Sequence, residues 1–127
     1  MRIIFCQKGQ SLITLLFFMI IAITIISASV VVTLVNTQST SRLEITNNAY
    51  VMAENGAEDA ILKLLRNPDY TGESFSLGEA NIITQVSGTN TKAATIEARL
   101  NGFIRKIQVN LDYSNNILRM ISWKEVL

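Results

Sequence analysis

The chain has 127 residues, enough for one domain, and a formal net charge of +1 from eleven Lys and Arg against ten Asp and Glu. It contains no histidine and a single cysteine, Cys6, which excludes histidine-based triads and a disulfide framework. The basic residues form no run, and the adjacent pair Arg105-Lys106 falls in a predicted strand. No nucleic-acid contact is therefore evident.

A short basic leader runs directly into a long apolar segment. The leader contains Arg2 and Lys8 and ends at Gly9, and no charged residue follows before Arg42. Residues 12–35 are apolar except for small hydroxyl side chains, and a bilayer core needs only about 20 such residues as helix. A secretory signal is cut after its apolar region. A cut after Gly9 instead leaves the apolar helix on the mature chain.

The charges on either side of this segment predict its orientation. Arg2 and Lys8 precede it, whereas Arg42 on the far side is balanced by Glu44. The positive-inside bias keeps the N-terminus in the cytoplasm and exports the rest of the chain. We therefore expect a single-pass protein of the cytoplasmic (inner) membrane with an extracytoplasmic C-terminal domain.

One long helix is predicted from Ser11 to Asn67, because this stretch contains no proline and Asn67-Pro68 is the first firm stop. The polar segment 36–41 is where we expect this helix to fray. In the second half, Asp59 and Lys63 form an i,i+4 pair on the charged face. The opposite, apolar face is formed by Ala49, Met52, Ala53, Ala57, Ala60, Ile61, Leu64 and Leu65.

The remaining chain predicts a small antiparallel sheet. Residues 68–80 are typical of a loop, and Asn101-Gly102 favours a type I′ hairpin turn. Strands are predicted at residues 82–86, 94–100, 103–112 and 117–126, with further turns at 87–90 and 113–116. In the strands at 94–100 and 103–112, apolar and polar residues alternate, so one face of each is predicted to be apolar. A small sheet needs a cover on its apolar face, which the helix supplies. The predicted fold class is α+β, with a long N-terminal helix packed on three or four antiparallel strands.

The junction between leader and apolar segment resembles the N-terminus of the type IV pilin and pseudopilin family. The matching residues are Lys8, Gly9, Gln10, Ser11, Leu12, Ile13, Thr14, Leu15 and Leu16. The resemblance implies cleavage between Gly9 and Gln10, N-methylation of Gln10, and packing of the helix at the centre of a filament. It implies a leader at 1–9, a transmembrane half-helix at 10–36 and an extracytoplasmic pilin-like globular domain at 37–127. The implied partners are prepilin peptidase, other pilin or pseudopilin subunits, an inner-membrane assembly platform and membrane lipid.

Two positions depart from the family pattern. The first mature residue is usually Phe or Met and here is Gln10, and the fifth is usually Glu and here is Thr14. That Glu attracts the amino terminus of the neighbouring subunit, since an ammonium in hydrocarbon needs a counter-charge. Thr14 therefore marks either a tip-like minor subunit, or simply one more polar residue of a spanning helix whose hydroxyl bonds to the preceding turn.

Three functions compete. The resemblance favours a non-catalytic structural subunit of a type IV pilus or of a related type II secretion or DNA-uptake filament. The alternative is a signal-anchored membrane protein with a small extracytoplasmic binding domain. No constellation of nucleophile, acid and base supports a membrane-tethered enzyme. No cofactor is expected either, because the oxygen-rich turn at 112–116 consists of ordinary turn formers and calcium takes six to eight oxygen ligands.

Overall fold

The computed structural model describes the backbone of residues 7–126 and the side chains of residues 9–126. Its elements are α1 (Gln7–Arg66), β1 (Gly72–Leu77), β2 (Ala80–Ser87), β3 (Thr91–Leu100), β4 (Phe103–Ser114) and β5 (Ile117–Val126). The chain forms two units, one ending at Thr40 and the other beginning at Ser41. The predicted α+β class is confirmed. Arg2 and Cys6 of the predicted leader lie outside the described residues.

The helix α1 is longer than predicted at its start and ends where the sequence requires. It already includes Gln7, four residues before the predicted start at Ser11. It ends at Arg66, and the Asn67 N–H donates to the Lys63 carbonyl oxygen, 2.7 Å away. The proline at 68 disfavours helical angles at the preceding residue, so the predicted stop is confirmed.

The predicted fraying at residues 36–41 is wrong, because α1 is helical throughout this polar segment. The Thr37 hydroxyl donates to the Thr33 carbonyl oxygen at 2.9 Å, and that of Thr40 donates to Asn36 at 3.0 Å. Threonine side chains that bond to their own helix leave the backbone ladder intact, although they are otherwise poor helix formers.

In the second unit, α1 packs a stripe of small residues on the sheet. The predicted stripe is confirmed at its fully buried members, which are Ala49, Ala53, Ala57, Ala60 and Leu64. Met52 and Ile61 are half-buried beside them. The prediction is wrong for Leu65, which is 56% exposed. Leu64 already takes the buried position of that turn, and a stripe at three- and four-residue spacing cannot include both neighbours.

α1 lies close against the sheet at Gly56. A Cβ atom at this position would lie 2.8 Å from Ile82 Cγ2 and 2.9 Å from Ile96 Cγ2. These methyl groups belong to β-branched side chains with restricted χ1, so they cannot swing aside. The helix therefore lies against β2 and β3 at a distance that only glycine permits.

The sheet is an antiparallel meander in the order β1-β2-β3-β4-β5. The predicted alternation is confirmed in β3 and β4, where alternate residues face the helix and the others face solvent. The buried face consists of Ala80, Ile82, Ala94, Ile96, Ala98, Leu100, Ile107, Val109 and Leu111. On β5 the half-buried Trp123 pairs with Val109 and packs against this core.

The sheet has five strands rather than three or four, because β1 lies within residues 68–80, which were predicted as a loop. Its side chains are mostly exposed, so no apolar alternation reveals it. Pairing with β2 through the two-residue turn Gly78-Glu79 creates the strand, and Gly78 has φ 61° as a type II′ turn requires. Tertiary pairing here overrides weak local preference.

An ion-pair cluster ties β1 to the end of α1. The Lys63 ammonium lies 2.7 Å from Asp59 Oδ2, as the i,i+4 spacing predicted, and also bonds Glu73 of β1. The same ammonium lies 5.4 Å from the centroid of the Phe75 ring. The Asp59 and Glu73 carboxylates raise the pKa of Lys63. This lysine therefore stays charged and holds the edge strand against the helix.

Two turns use residues in the left-handed region. Asn101 and Gly102 have φ 47° and 83°, which confirms the predicted type I′ turn. The turn predicted at 113–116 narrows to Asn115-Asn116, with φ 53° and 59°, because the two preceding residues continue β4. The β4–β5 pairing shifts register between Asn110 and Leu111, which leaves Ile121 as an extra residue in β5. This is a β-bulge.

Glu97 is the centre of a charge cluster on the outer face of the sheet. Its Oε2 lies 2.8 Å from Lys106 Nζ on β4, and its other oxygen bonds Arg99. The bond to Lys106, and then that to Arg99, lower the pKa of Glu97 below its ordinary value of 4.5. The Glu97 side chain is only 15% exposed, so water screens this cluster less than a fully exposed pair.

We expect Gly56→Val to destabilise the second unit by about 1–3 kcal/mol, because the added atoms overpack the contact with Ile82 and Ile96. The measurement is urea unfolding of the full chain in detergent micelles, followed by fluorescence of the single tryptophan, Trp123. Asn55→Ala, on the exposed face of the same turn, is the control and should leave the midpoint nearly unchanged. A Gly56 variant as stable as the parent would contradict this packing.

We expect Glu97→Gln to lower stability at pH 7 by about 0.5–1 kcal/mol, since the amide loses both ion pairs. A carboxylate with a depressed folded pKa stabilises above its unfolded pKa, and this contribution disappears as pH falls through the folded value. The difference between parent and variant should therefore shrink below pH 4.5. The same unfolding assay at several pH values checks this, with the exposed Glu58→Gln as control. A difference that does not vary with pH would refute it.

Candidate processing and assembly segment

The predicted cleavage site lies in α1, close to the first residue that the structure describes. Gly9 and Gln10 are both helical.

Gly9 differs from the other five glycines, because nothing in the described structure requires a glycine there. Its backbone is helical, and a Cβ built on it meets no atom within 4 Å. Gly56 has no room for a side chain. The other four have positive φ: Gly72, Gly78, Gly88 and Gly102. Glycine costs a helix about 1 kcal/mol relative to alanine, so Gly9 weakens the helix with no packing benefit in return.

Thr14 follows one turn after Gln10. Its Oγ1 donates to the Gln10 carbonyl oxygen, 2.9 Å away, which is the bond predicted for a plain polar residue of a spanning helix. The hydroxyl is thereby satisfied without any partner outside the helix, and it carries no charge. Gln10, Ser11 and Thr14 line one shallow groove on the helix together with Leu15 and Phe18. Tip and shaft positions both remain predictions.

The apolar segment satisfies all of its own polar side chains. Each hydroxyl in residues 12–35 donates to a backbone carbonyl oxygen three or four residues earlier, at 2.7–3.0 Å. The donors are Thr14, Thr24, Ser27, Ser29 and Thr33. In hydrocarbon there is no water to bond such groups, so a spanning helix must do so internally. The helix is long and apolar enough to cross a membrane.

The segment is also unburied within its own unit. Its large apolar side chains are between 38% exposed at Ile21 and 69% exposed at Leu12. Ala22, Ser27, Ala28 and Ser29 are the small residues predicted to admit a neighbouring helix. Ser29 and Thr33 line a shallow groove of about 330 Å³ whose walls are aliphatic. Such a surface is of the kind that lipid tails or other helices can cover.

The oxygen-rich turn after β4 is engaged in its own hydrogen bonds. Ser114 Oγ donates to Asp112 Oδ2 at 3.2 Å, and Tyr113 Oη lies 3.4 Å from Asn116 Oδ1. Within residues 9–126 there is no group of three or more His, Cys, Asp or Glu side chains placed to hold a metal ion.

Lys92 is a residue for which no role was predicted from the sequence. It occupies a buried position of β3, two residues before Ala94. The alternation that predicted the strand could have revealed it, because the row of inward-facing residues continues one step back from Ala94 to a lysine.

Comparisons with known protein families, with curated proteins and with solved structures found no match to this chain. What it does must be inferred from its own residues and their geometry.

Proposed function

We propose that this chain is a minor pilin or pseudopilin, a non-catalytic structural subunit of a type IV pilus or a related secretion or DNA-uptake filament. The observation that carries this is Gly9. It lies at the junction of a basic leader and an apolar helix, and nothing in the described fold requires a glycine there. Recognition of a small residue at the cleavage site by a peptidase explains why this position is a glycine.

The apolar half of α1 suits two successive environments. With every hydroxyl bonded internally, it can lie in lipid as a single-pass anchor of the inner membrane, N-terminus in the cytoplasm. The same apolar surface can pack against sister helices in a filament, because lipid tails and leucine side chains are equally apolar. A single helix, from Gln7 to Arg66, contributes residues to both the anchor and the C-terminal domain.

The charge that cleavage creates favours a minor, tip-like position. The new α-amino group at Gln10 is protonated at neutral pH, since its pKa is about 8. No carboxylate is available within the helix up to Ser41, and Thr14 offers only a satisfied hydroxyl. Stacked copies of this chain alone would leave each ammonium without a counter-charge in an apolar environment. This penalty does not arise for a tip subunit, because no other subunit depends on it for neutralisation.

We expect co-expression with a prepilin peptidase to yield a chain that begins at N-methylated Gln10. N-terminal sequencing and intact mass of the membrane-purified protein measure this. Gly9→Val should abolish the cut, because a branched side chain blocks a site that admits glycine. Ser11→Ala, a small change two residues along, should be cut as the parent is.

The variant must first be shown to insert and fold. A Cβ at Gly9 meets nothing, so the unfolding midpoint reported by Trp123 should not change. A parent chain that still begins at Met1 would remove the main support for the filament function. It would favour the alternative, a signal-anchored protein with a small extracytoplasmic binding domain.

We expect Thr14→Glu to increase incorporation of this chain into the filament shaft, because the new carboxylate can neutralise a neighbour's amino terminus. The measurement is the amount of this subunit relative to the major subunit in sheared filaments. Thr14→Gln introduces a side chain of the same size as glutamate but without its charge, and it should not increase incorporation. Complete loss of filaments with Thr14→Glu would argue against a passive tip position.

A further inference from the structure

A cavity of about 340 Å³ lies at the end of the second unit where α1 stops. Its walls come from the α1–β1 connection, the β2–β3 turn and the end of β4. Six lining residues carry side chains able to contact a ligand through charge, hydroxyl or aromatic ring: Asp69, Tyr70, Thr71, Thr89, Lys92 and Tyr113. The volume is in the range of small-molecule sites.

Lys92 lines the cavity and is largely buried as a residue. It is 7% exposed and lies on β3 opposite Leu111 of β4, in the row of side chains that faces the helix. Within residues 9–126 it takes part in none of the ion pairs, so no carboxylate oxygen lies within 4 Å of its ammonium. Burying an unpaired charge is costly, and an apolar residue here would simply extend the core.

Tyr70, another residue of the lining, carries a polar atom without a partner. Its hydroxyl is buried and has no hydrogen-bond partner among the described residues, and the same holds for the Thr84 hydroxyl. Buried polar atoms without partners are uncommon in native proteins and call for an explanation. The Lys92 ammonium is not among these fully enclosed atoms, so an anion in the cavity can reach it.

The walls are fixed by backbone contacts. The Val86 N–H donates to the Thr71 carbonyl oxygen at 2.8 Å, and the Tyr113 N–H donates to Asn90 at 2.7 Å. Gly88 has φ 98°, and a Cβ there would lie 2.0 Å from the Thr91 carbonyl oxygen. The β2–β3 turn therefore keeps one conformation, and the cavity exists before any ligand enters.

The lining selects the class of ligand. Lys92 supplies one positive charge, whereas Asp69 in the same lining repels ligands with two or more negative charges, such as phosphate. Tyr70 and Tyr113 supply aromatic surface for an apolar body. We propose that this cavity binds an aromatic monocarboxylate, whose carboxylate pairs with the Lys92 ammonium and whose ring packs against Tyr70 and Tyr113.

This chemistry has two possible sources, a free aromatic acid or the C-terminal carboxylate of a polypeptide that ends in an aromatic residue. The proposal does not depend on the filament function, because the cavity lies in the second unit and uses no residue of the cleavage segment.

The test is a titration of the full chain in uncharged detergent micelles with 3-phenylpropionate, followed by NMR of the ring signals of the three tyrosines. Signals of Tyr70 and Tyr113 should shift with saturation, while Tyr50, which does not line the cavity, should not. The neutral amide of the same acid should bind at least about tenfold more weakly, because it cannot pair with Lys92.

Variants separate the charge from the fold. Lys92→Met keeps an unbranched chain in the cavity wall and should weaken binding at least about tenfold. Lys124→Met, on the exposed face of β5, should bind as the parent does. Thr89→Glu adds a negative charge at an exposed position of the lining and should also weaken binding. Unchanged affinity in Lys92→Met, equal affinity for acid and amide, or no shift at Tyr70 and Tyr113 would each overturn the proposal.

A pair of short peptides ending in phenylalanine, one with a free C-terminus and one amidated, distinguishes the two sources. Binding of the free-carboxylate peptide alone supports the proposal with a polypeptide end as ligand. Binding of 3-phenylpropionate without either peptide supports it with a free acid. Equal binding of both peptides would contradict recognition of a carboxylate.

Discussion

The close approach of α1 to β2 and β3 at Gly56 is the contact on which the rest of the second unit depends. A sheet with one apolar face is stable only when that face is covered, and the small stripe of α1 is its cover. Because Gly56 has no side chain, the inward-facing Ile82 and Ile96 come close to the helix backbone itself at this point. The core is therefore filled mainly by side chains of the sheet that approach the helix backbone, rather than by large side chains of the helix. Polar residues are left for the outer face of the sheet, where Glu97 joins two strands through its ion pairs.

A different constraint applies to the first unit, whose large apolar side chains are exposed among the described residues. In lipid, which offers no hydrogen bonds, the hydroxyls of residues 12–35 are tolerable only because each one donates to its own backbone. Within residues 12–35, these bonds leave no polar side chain free to recognise a neighbour. Association through this surface would rest on shape and small residues, and the charge at a mature N-terminus would have to be neutralised by other subunits. Thr14 shows both points, because its hydroxyl is bonded within the helix and its side chain carries no charge that could neutralise a neighbour.

Strong periodicity made most of the fold predictable from the sequence. The stop at Asn67-Pro68, the alternation in β3 and β4 and the Asn101-Gly102 turn each follow from local chemistry. The strand β1 does not, because its exposed and polar residues become a strand only through pairing with β2 and the tie from Lys63. The predicted cleavage between Gly9 and Gln10 came from the order of leader and apolar segment in the sequence. That nothing in the fold requires Gly9 to be glycine, and that Lys92 is buried beside a cavity, needed three-dimensional distances.

The bulge at Ile121 has a consequence for how copies of this protein coexist. β5 is an edge strand, and a long regular edge invites pairing with the edge of another molecule. If the apolar helix anchors the chain in a membrane, its copies are confined to two dimensions and identical domains meet often. The extra residue interrupts the regular spacing of donors and acceptors and increases the local twist. Two copies of β5 cannot then align over their full length, so identical domains can crowd together without their sheets fusing.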